Sequence, residues 1–183
     1  MTVSPDLDRR FRDAALAAGL VDVCYDVVAS PVGELLLAAT PRGLCRISYT
    51  VEGQDESLAR TFGVRVLRAP LDDVRRELDE YFAGRRRDFD LKLDLRVAPF
   101  HEAVLHELAR VPYGHLDTYG GLAAKVGRPR AARAVGSVMN RNPIPIVLPC
   151  HRIVGANGSL TGYAGGLHIK RALLELEGAT LAV

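Results

Sequence analysis

The sequence predicts an α+β fold: a small amino-terminal β-sheet domain with helices over residues 1–97, then a mostly helical carboxy-terminal domain over 98–183 that contains a helix-turn-helix. Strand-like runs separated by turn signals crowd residues 21–49. After Pro99 the apolar residues recur at three- and four-residue spacing instead. Two short helical segments then flank Gly127, with a proline opening the second. A chain of 183 residues, 48% hydrophobic and 25% charged, can bury a substantial core. It has no apolar run near the roughly 18 residues of a membrane helix.

Leu7, Phe11, Ala14, Ala15 and Ala18 mark a first helix, Leu7–Leu20, ended near Gly19. Val21–Val28, Glu34–Ala39 and Gly43–Tyr49 read as strands of a meander, divided by Ser30-Pro31-Val32-Gly33 and Thr40-Pro41-Arg42-Gly43. Leu71, Val74, Leu78, Tyr81 and Phe82 restore helical spacing until Gly84. Phe89, Leu91, Leu93 and Leu95 alternate with polar residues like a further strand. A domain boundary is expected near 96–99. Pro99 can open a helix running to Arg110. Thr118 can cap a helix over Tyr119–Val126, Gly127 makes a turn, and Pro129 opens a second helix to about Arg141. Pro143 and Pro145 forbid continuation, and a last helix spans Gly166–Glu177.

The net charge of +2 is unevenly spread. Residues 1–98 hold 15 basic and 17 acidic side chains, whereas residues 99–183 hold nine and five. No acidic residue lies between Thr118 and Leu174, while Lys125, Arg128, Arg130, Arg133, Arg141, Arg152, Lys170 and Arg171 do. That pattern suits a polyanion, although a locally uneven solvated surface would look the same. Three cysteines make no disulfide framework, and the amino terminus lacks signal-peptide character, so the cytoplasm is expected. Cys24 and Cys45 are widely spaced without nearby histidine, and His101 and His106 are five apart, so no metal site is expected.

The chemistry concentrates in Pro149-Cys150-His151-Arg152, reached through the stiff run Asn142-Pro143-Ile144-Pro145-Ile146-Val147-Leu148. A thiol of ordinary pKa is mostly protonated at neutral pH, and His151 and Arg152 can supply a base and a positive charge. On residue type alone, Asn142 could equally be a helix cap, Glu177 a solvated acid, Tyr119 a core aromatic, Arg133 a surface charge, and Tyr163-Ala164-Gly165-Gly166 a flexible loop.

From Pro99 to Glu177 the chain resembles the O6-alkylguanine-DNA alkyltransferases. The matching blocks are Arg130-Ala131-Ala132-Arg133-Ala134-Val135-Gly136, Asn142-Pro143, Pro149-Cys150-His151-Arg152, Tyr163-Ala164-Gly165-Gly166 and Leu176-Glu177-Gly178. The resemblance implies a single-turnover repair protein that flips O6-alkylguanine, mainly O6-methylguanine, out of duplex DNA. The alkyl group then passes irreversibly to Cys150 without a cofactor. It implies that a water relays the Cys150 proton to His151, that Glu177 hydrogen-bonds the far imidazole nitrogen, and that Asn142 links the turn to the cysteine. Tyr119 would press on the target phosphate and Arg133 would fill the vacated stack. Ala131, Ala132, Ala134, Gly136 and Ser137 would let the second helix approach the minor groove closely, Tyr163 and Ala164 would wall the base pocket, and Met139 and Ile153 are counted with them among the substrate- and DNA-binding residues. Ala164 stands where some relatives have serine, so its backbone N–H is expected to serve the base oxygen. The implied partner is double-stranded DNA bound by a monomer, with cooperative coating of DNA left open.

Three other functions share parts of this pattern. A lesion-binding relative that transfers nothing would lack the nucleophile, whereas Cys150 is present. A site-specific transcription regulator would carry more base-contacting polar side chains on its recognition helix. A cysteine hydrolase would turn over an ester.

Overall fold

The computed structural model describes residues 4–179. Helix α1 spans Pro5–Ala17, with the Ser4 hydroxyl accepting from the Leu7 amide. Strands β1 (Val23–Ser30), β2 (Gly33–Thr40) and β3 (Gly43–Ser48) form the expected antiparallel meander. Two elements then follow that the sequence pattern did not signal: α2 (Gln54–Phe62) and β4 (Val66–Arg68). Strand β4 lies parallel to β1, giving the order β3-β2-β1-β4, with α2 supplying the crossover such pairing needs. Only three residues long, β4 shows no periodicity. Helix α2 starts at a left-handed Gly53 without a side-chain cap.

Leu35-Leu36-Leu37-Ala38 is buried on both faces of β2. Leu35 and Leu37 join the main core, while Leu36 and Ala38 pack with Val23, Cys45 and Leu58 under α2. Helix α3 (Asp72–Phe82) ends at Phe82, as expected, ahead of the left-handed Gly84, and delivers the fully buried Tyr81.

The strand expected at residues 89–95 does not form. This segment is extended and touches the sheet at one bridge, Leu44 with Leu93, through the Leu44 amide to Lys92 O and the Asp94 amide to Leu44 O, both 2.8 Å. Its alternation instead lays Phe89, Leu91, Leu93 and Leu95 on the core, while buried Asp94 accepts from Thr40 and Arg96. Gly43 permits this docking. A Cβ there would sit 2.3 Å from the Lys92 oxygen.

Helix α4 (Pro99–Ala109) starts at its proline as expected and sends Val104, Leu105 and Leu108 into the core. Strand β5 (Asp117–Thr118) leads into α5 (Tyr119–Lys125), whose Gly121 amide donates to the Thr118 hydroxyl at 2.9 Å. The next helix, α6 (Ala132–Asn140), begins three residues later than Pro129, because the Arg128 amide caps back to Ala123 O and residues 128–131 form a separate turn. A single-turn 3₁₀ helix, Cys150–Arg152, passes into β6 (Ile153–Val154), which pairs parallel with β5. Helix α7 (Leu167–Leu176) closes the described chain. One core cluster runs from Leu35, Leu37, Ile47 and Leu78 through Val104, Leu122, Val138, Ile144 and Leu173, so both halves pack on common ground.

Candidate active site

Two prolines prevent α6 from extending, and the chain from Asn142 to Cys150 is held as a compact turn. The Asn142 amide group donates to Leu148 O at 2.7 Å while its oxygen accepts from the Ile144 amide at 3.1 Å. Ile146, fully buried, adopts φ 76°, a strained conformation for a branched residue that persists only where its surroundings over-determine it. The Ile47 amide of β3 donates to Pro143 O at 2.9 Å, tying the sheet to this turn. Cys150 emerges from the turn at the start of the 3₁₀ helix, only 3% exposed.

Behind the cysteine, His151 and Glu177 are both buried, and His151 Nε2 lies 2.8 Å from Glu177 Oε1. Arg152 Nε donates to Oε2 and Nη2 to Oε1, each at 2.9 Å, Tyr81 donates to Oε1 at 2.7 Å, and the Gly114 amide donates to Oε2 at 3.1 Å. Burial pushes the Glu177 carboxyl up, but these hydrogen bonds and the charges behind them outweigh it and hold the carboxyl well below the usual range. An ionised carboxylate only accepts, so Nε2 carries the imidazole proton and Nδ1 keeps its lone pair. Nδ1 is buried and has no hydrogen-bond partner among the described residues. Burial also drives the His151 pKa down against the pull of Glu177, leaving a neutral imidazole with one free acceptor, which is the state of a base.

Burial raises the Cys150 pKa, and hydrogen bonding from Asn142, the charge of Lys170 and hydrogen bonding from Tyr163 act against it. Arg152 is not the cation that serves the thiol, contrary to the expectation from its place in the sequence. Its guanidinium is consumed by Glu177 and by Val111 O. The cation is Lys170 on α7, fully buried, with its pKa pushed down by burial to about 8 and its Nζ donating to Ile153 O and Thr161 O.

Two family models match this chain: the 6-O-methylguanine DNA methyltransferase DNA-binding domain over residues 99–179 and the ribonuclease-like domain of the same proteins over 23–95. The methylated-DNA–protein-cysteine methyltransferase of Methanosarcina acetivorans is 42% identical over 160 residues, which cover 85% of this chain and 98% of that protein. The chain belongs to the O6-methylguanine-DNA methyltransferase family. Among solved structures, the Mycobacterium tuberculosis O6-methylguanine methyltransferase superposes with a TM-score of 0.77 at 40% identity, covering 85% of this chain and 93% of the other. The M. tuberculosis protein in complex with DNA gives 0.76 at 41% identity, covering 85% and 92%.

Within this methyltransferase fold, Cys150, His151, Glu177 and Asn142 are brought together as described. Arg133, Ala134 and Ser137 are exposed on α6, with Ala132 and Gly136 half-buried beside them. Ser137 is engaged by Arg141, whose Nη2 donates to its hydroxyl at 2.9 Å. Tyr119 opens α5, its ring 3.8 Å from where a Gly136 Cβ would stand, and its hydroxyl accepts from Thr161 at 2.9 Å. Met139 and Ile153, counted in the expected binding set, are buried. Both are core residues, because α6 turns Met139 inward and β6 is buried against β5. Tyr163 is half-buried and hydrogen-bonds in favour of ionised Cys150, and exposed Ala164 opens, with Asn142 and Pro145, onto a cavity of about 440 Å³. The residue pattern gave no signal for Tyr81 or Lys170. Helical spacing marks such side chains as core or surface, and only packing shows what their polar tips meet. Among the described residues no helix is long and apolar enough to cross a membrane, and no group of three or more metal-binding side chains occurs.

Proposed function

We propose that this protein repairs DNA by direct reversal, taking the alkyl group of O6-alkylguanine onto Cys150 in one irreversible turnover. The observation that carries this is the buried arrangement in which a neutral His151, oriented by ionised Glu177, keeps Nδ1 free on the residue next to the thiol. In this mechanism the basic surface of residues 118–174, read as the carboxy-terminal domain of 98–183, holds the phosphates of duplex DNA. The small residues Ala132, Ala134 and Gly136 let α6 lie close in the minor groove. Tyr119 displaces the target phosphate, Arg133 fills the gap in the stack, and the flipped guanine enters beside Tyr163 with its O6 toward the Ala164 N–H. The Cys150 proton passes through a water to His151 Nδ1. The thiolate pair forms the S–C bond, the C–O6 bond breaks with its electrons going to guanine, and the proton given up by Cys150 to His151 passes back through water to guanine, which leaves neutral. The resulting thioether has no leaving group, so the chain is consumed. The resident compartment in this proposal is the cytoplasm and the acting species a monomer.

Titration of the protein with a duplex oligonucleotide carrying one labelled O6-methylguanine tests the reaction. A sharp end point near one methyl group per chain, located on the Cys150 peptide, is expected. Continued turnover without protein alkylation, or label on Cys24 or Cys45, overturns it.

A further inference from the structure

We propose that Tyr49, contributed by the amino-terminal sheet, is a positioning residue for alkyl transfer: it fixes the Tyr163 ring and turns the Tyr163 hydroxyl proton onto Cys150. This rests on the transfer reaction proposed above. Tyr49 directly follows β3, and its hydroxyl lies 2.7 Å from that of Tyr163, 114 residues away in sequence. The two rings are 5.8 Å apart and tilted by 56°. The Tyr49 ring lies directly on the loop backbone. A Cβ on Gly165 would fall 2.7 Å from Tyr49 Cδ2, so glycine at 165 is what lets the ring seat there. The Ile47 bond to Pro143 O anchors the same strand to the active-site turn two residues earlier, so Tyr49 reaches the site from a rigid element.

The direction of the hydrogen bonds follows from donor counting. Each tyrosine has one O–H, and a thiolate can only accept. Tyr163 is one of the groups whose hydrogen bonding favours ionised Cys150, so its O–H is directed to the sulfur in that state, and the 2.7 Å contact between the two hydroxyls is then kept by Tyr49 donating to Tyr163. The chain from Tyr49 Oη through Tyr163 Oη to Cys150 Sγ is then polarised in one direction, which strengthens its last link. Burial raises the pKa of both phenols, so both keep their protons while the thiol loses its own. The other charged group acting on the sulfur is Lys170 from α7, while His151, next in the chain, is tied to Glu177 and flanked by the charges of Arg152 and Lys170. None of them replaces the lost donor when Tyr49 is changed.

Single-turnover transfer from an O6-methylguanine duplex to the full chain, measured from pH 6 to 9, tests this with wild type, Tyr49→Phe, Tyr163→Phe and the double variant. Tyr49→Phe is expected to slow transfer at pH 7 by about threefold to tenfold and to displace the rate profile to higher pH. Its affinity for the lesion duplex should change less than about twofold, and Tyr49→Leu should slow transfer similarly. In the Tyr163→Phe background, adding Tyr49→Phe should cost nothing further. A Tyr49→Phe rate and pH profile equal to wild type overturns the role. So does an equal loss in both backgrounds, which is the behaviour of simple packing. A wild-type chain that acquires no methyl group would instead overturn the proposed function itself.

Discussion

Cys150 is a buried thiol whose surroundings contest its own desolvation, and single substitutions separate the chemistry from the binding. Cys150→Ser should abolish methyl transfer while leaving lesion-duplex affinity within a few fold, because a hydroxyl is a far weaker nucleophile at neutral pH. Electrophoretic mobility and label transfer measure the two effects independently, and methyl transfer persisting in Cys150→Ser would refute the assignment. Arg133 is exposed and distant in role from the thiol. Arg133→Ala should therefore slow repair of duplex DNA more than attack on free O6-benzylguanine, which needs no extrusion. Equal losses would contradict the intercalating role. Glu177 is the most heavily bonded side chain of the site. Glu177→Gln leaves the Arg152 charge buried without its partner, and should cost about 3 kcal/mol or more in urea unfolding as well as slowing transfer.

At the scale of elements, the turn between α6 and the 3₁₀ helix is the structure that presents the cysteine. Its strain at Ile146 is contained by the two bonds of Asn142, so Asn142→Ala removes both a backbone brace and a hydrogen-bond partner of the sulfur. A loss of about 1–3 kcal/mol in stability is expected, with a larger fractional loss in transfer rate than in DNA affinity. A variant that transfers at the wild-type rate would show that the turn holds itself. Helix α5 depends on an ordinary cap: Thr118→Ala should cost about 1 kcal/mol by thermal unfolding, with little effect on free-base alkylation. The elements that pattern located well, α3, α4, α7 and the meander, are those with long apolar periodicity or clear punctuation. Strand β4 and helix α2 lack both, and the 89–95 segment carries strand-like alternation that its surroundings use for packing, with only one backbone rung.

For the whole molecule, acid should be the destabilising direction. The His151 pKa is lowered by folding, so its contribution is present above the unfolded value near 6.5 and fades as pH falls below it. The depressed Glu177 adds a second loss below its unfolded value near 4.3, in the same sense. Urea midpoints should drop between pH 8 and 5, and His151→Gln should flatten that part of the dependence. An identical pH slope in the variant would place the acid sensitivity elsewhere. Duplex binding should also weaken steeply with added salt, as phosphate contacts release counterions. A shallow dependence would argue against the basic surface as the docking face.

Local chemistry was enough to locate the reacting segment. A cysteine beside a histidine after two prolines, a run from 118 to 174 without an acid, and a capped helix before a glycine turn are each properties of neighbouring residues. Such features survive in any fold that the chain adopts. Tertiary packing alone decided which charges meet the thiol. It spent Arg152 on Glu177, buried Lys170 near Cys150, and carried Tyr81 and Tyr49 from the amino-terminal half onto Glu177 and Tyr163. Those contacts span from 25 to 114 residues of sequence where their bonds are known. No periodicity encodes them, because a side chain's polar tip finds its partner only after the apolar faces that carry it have been packed.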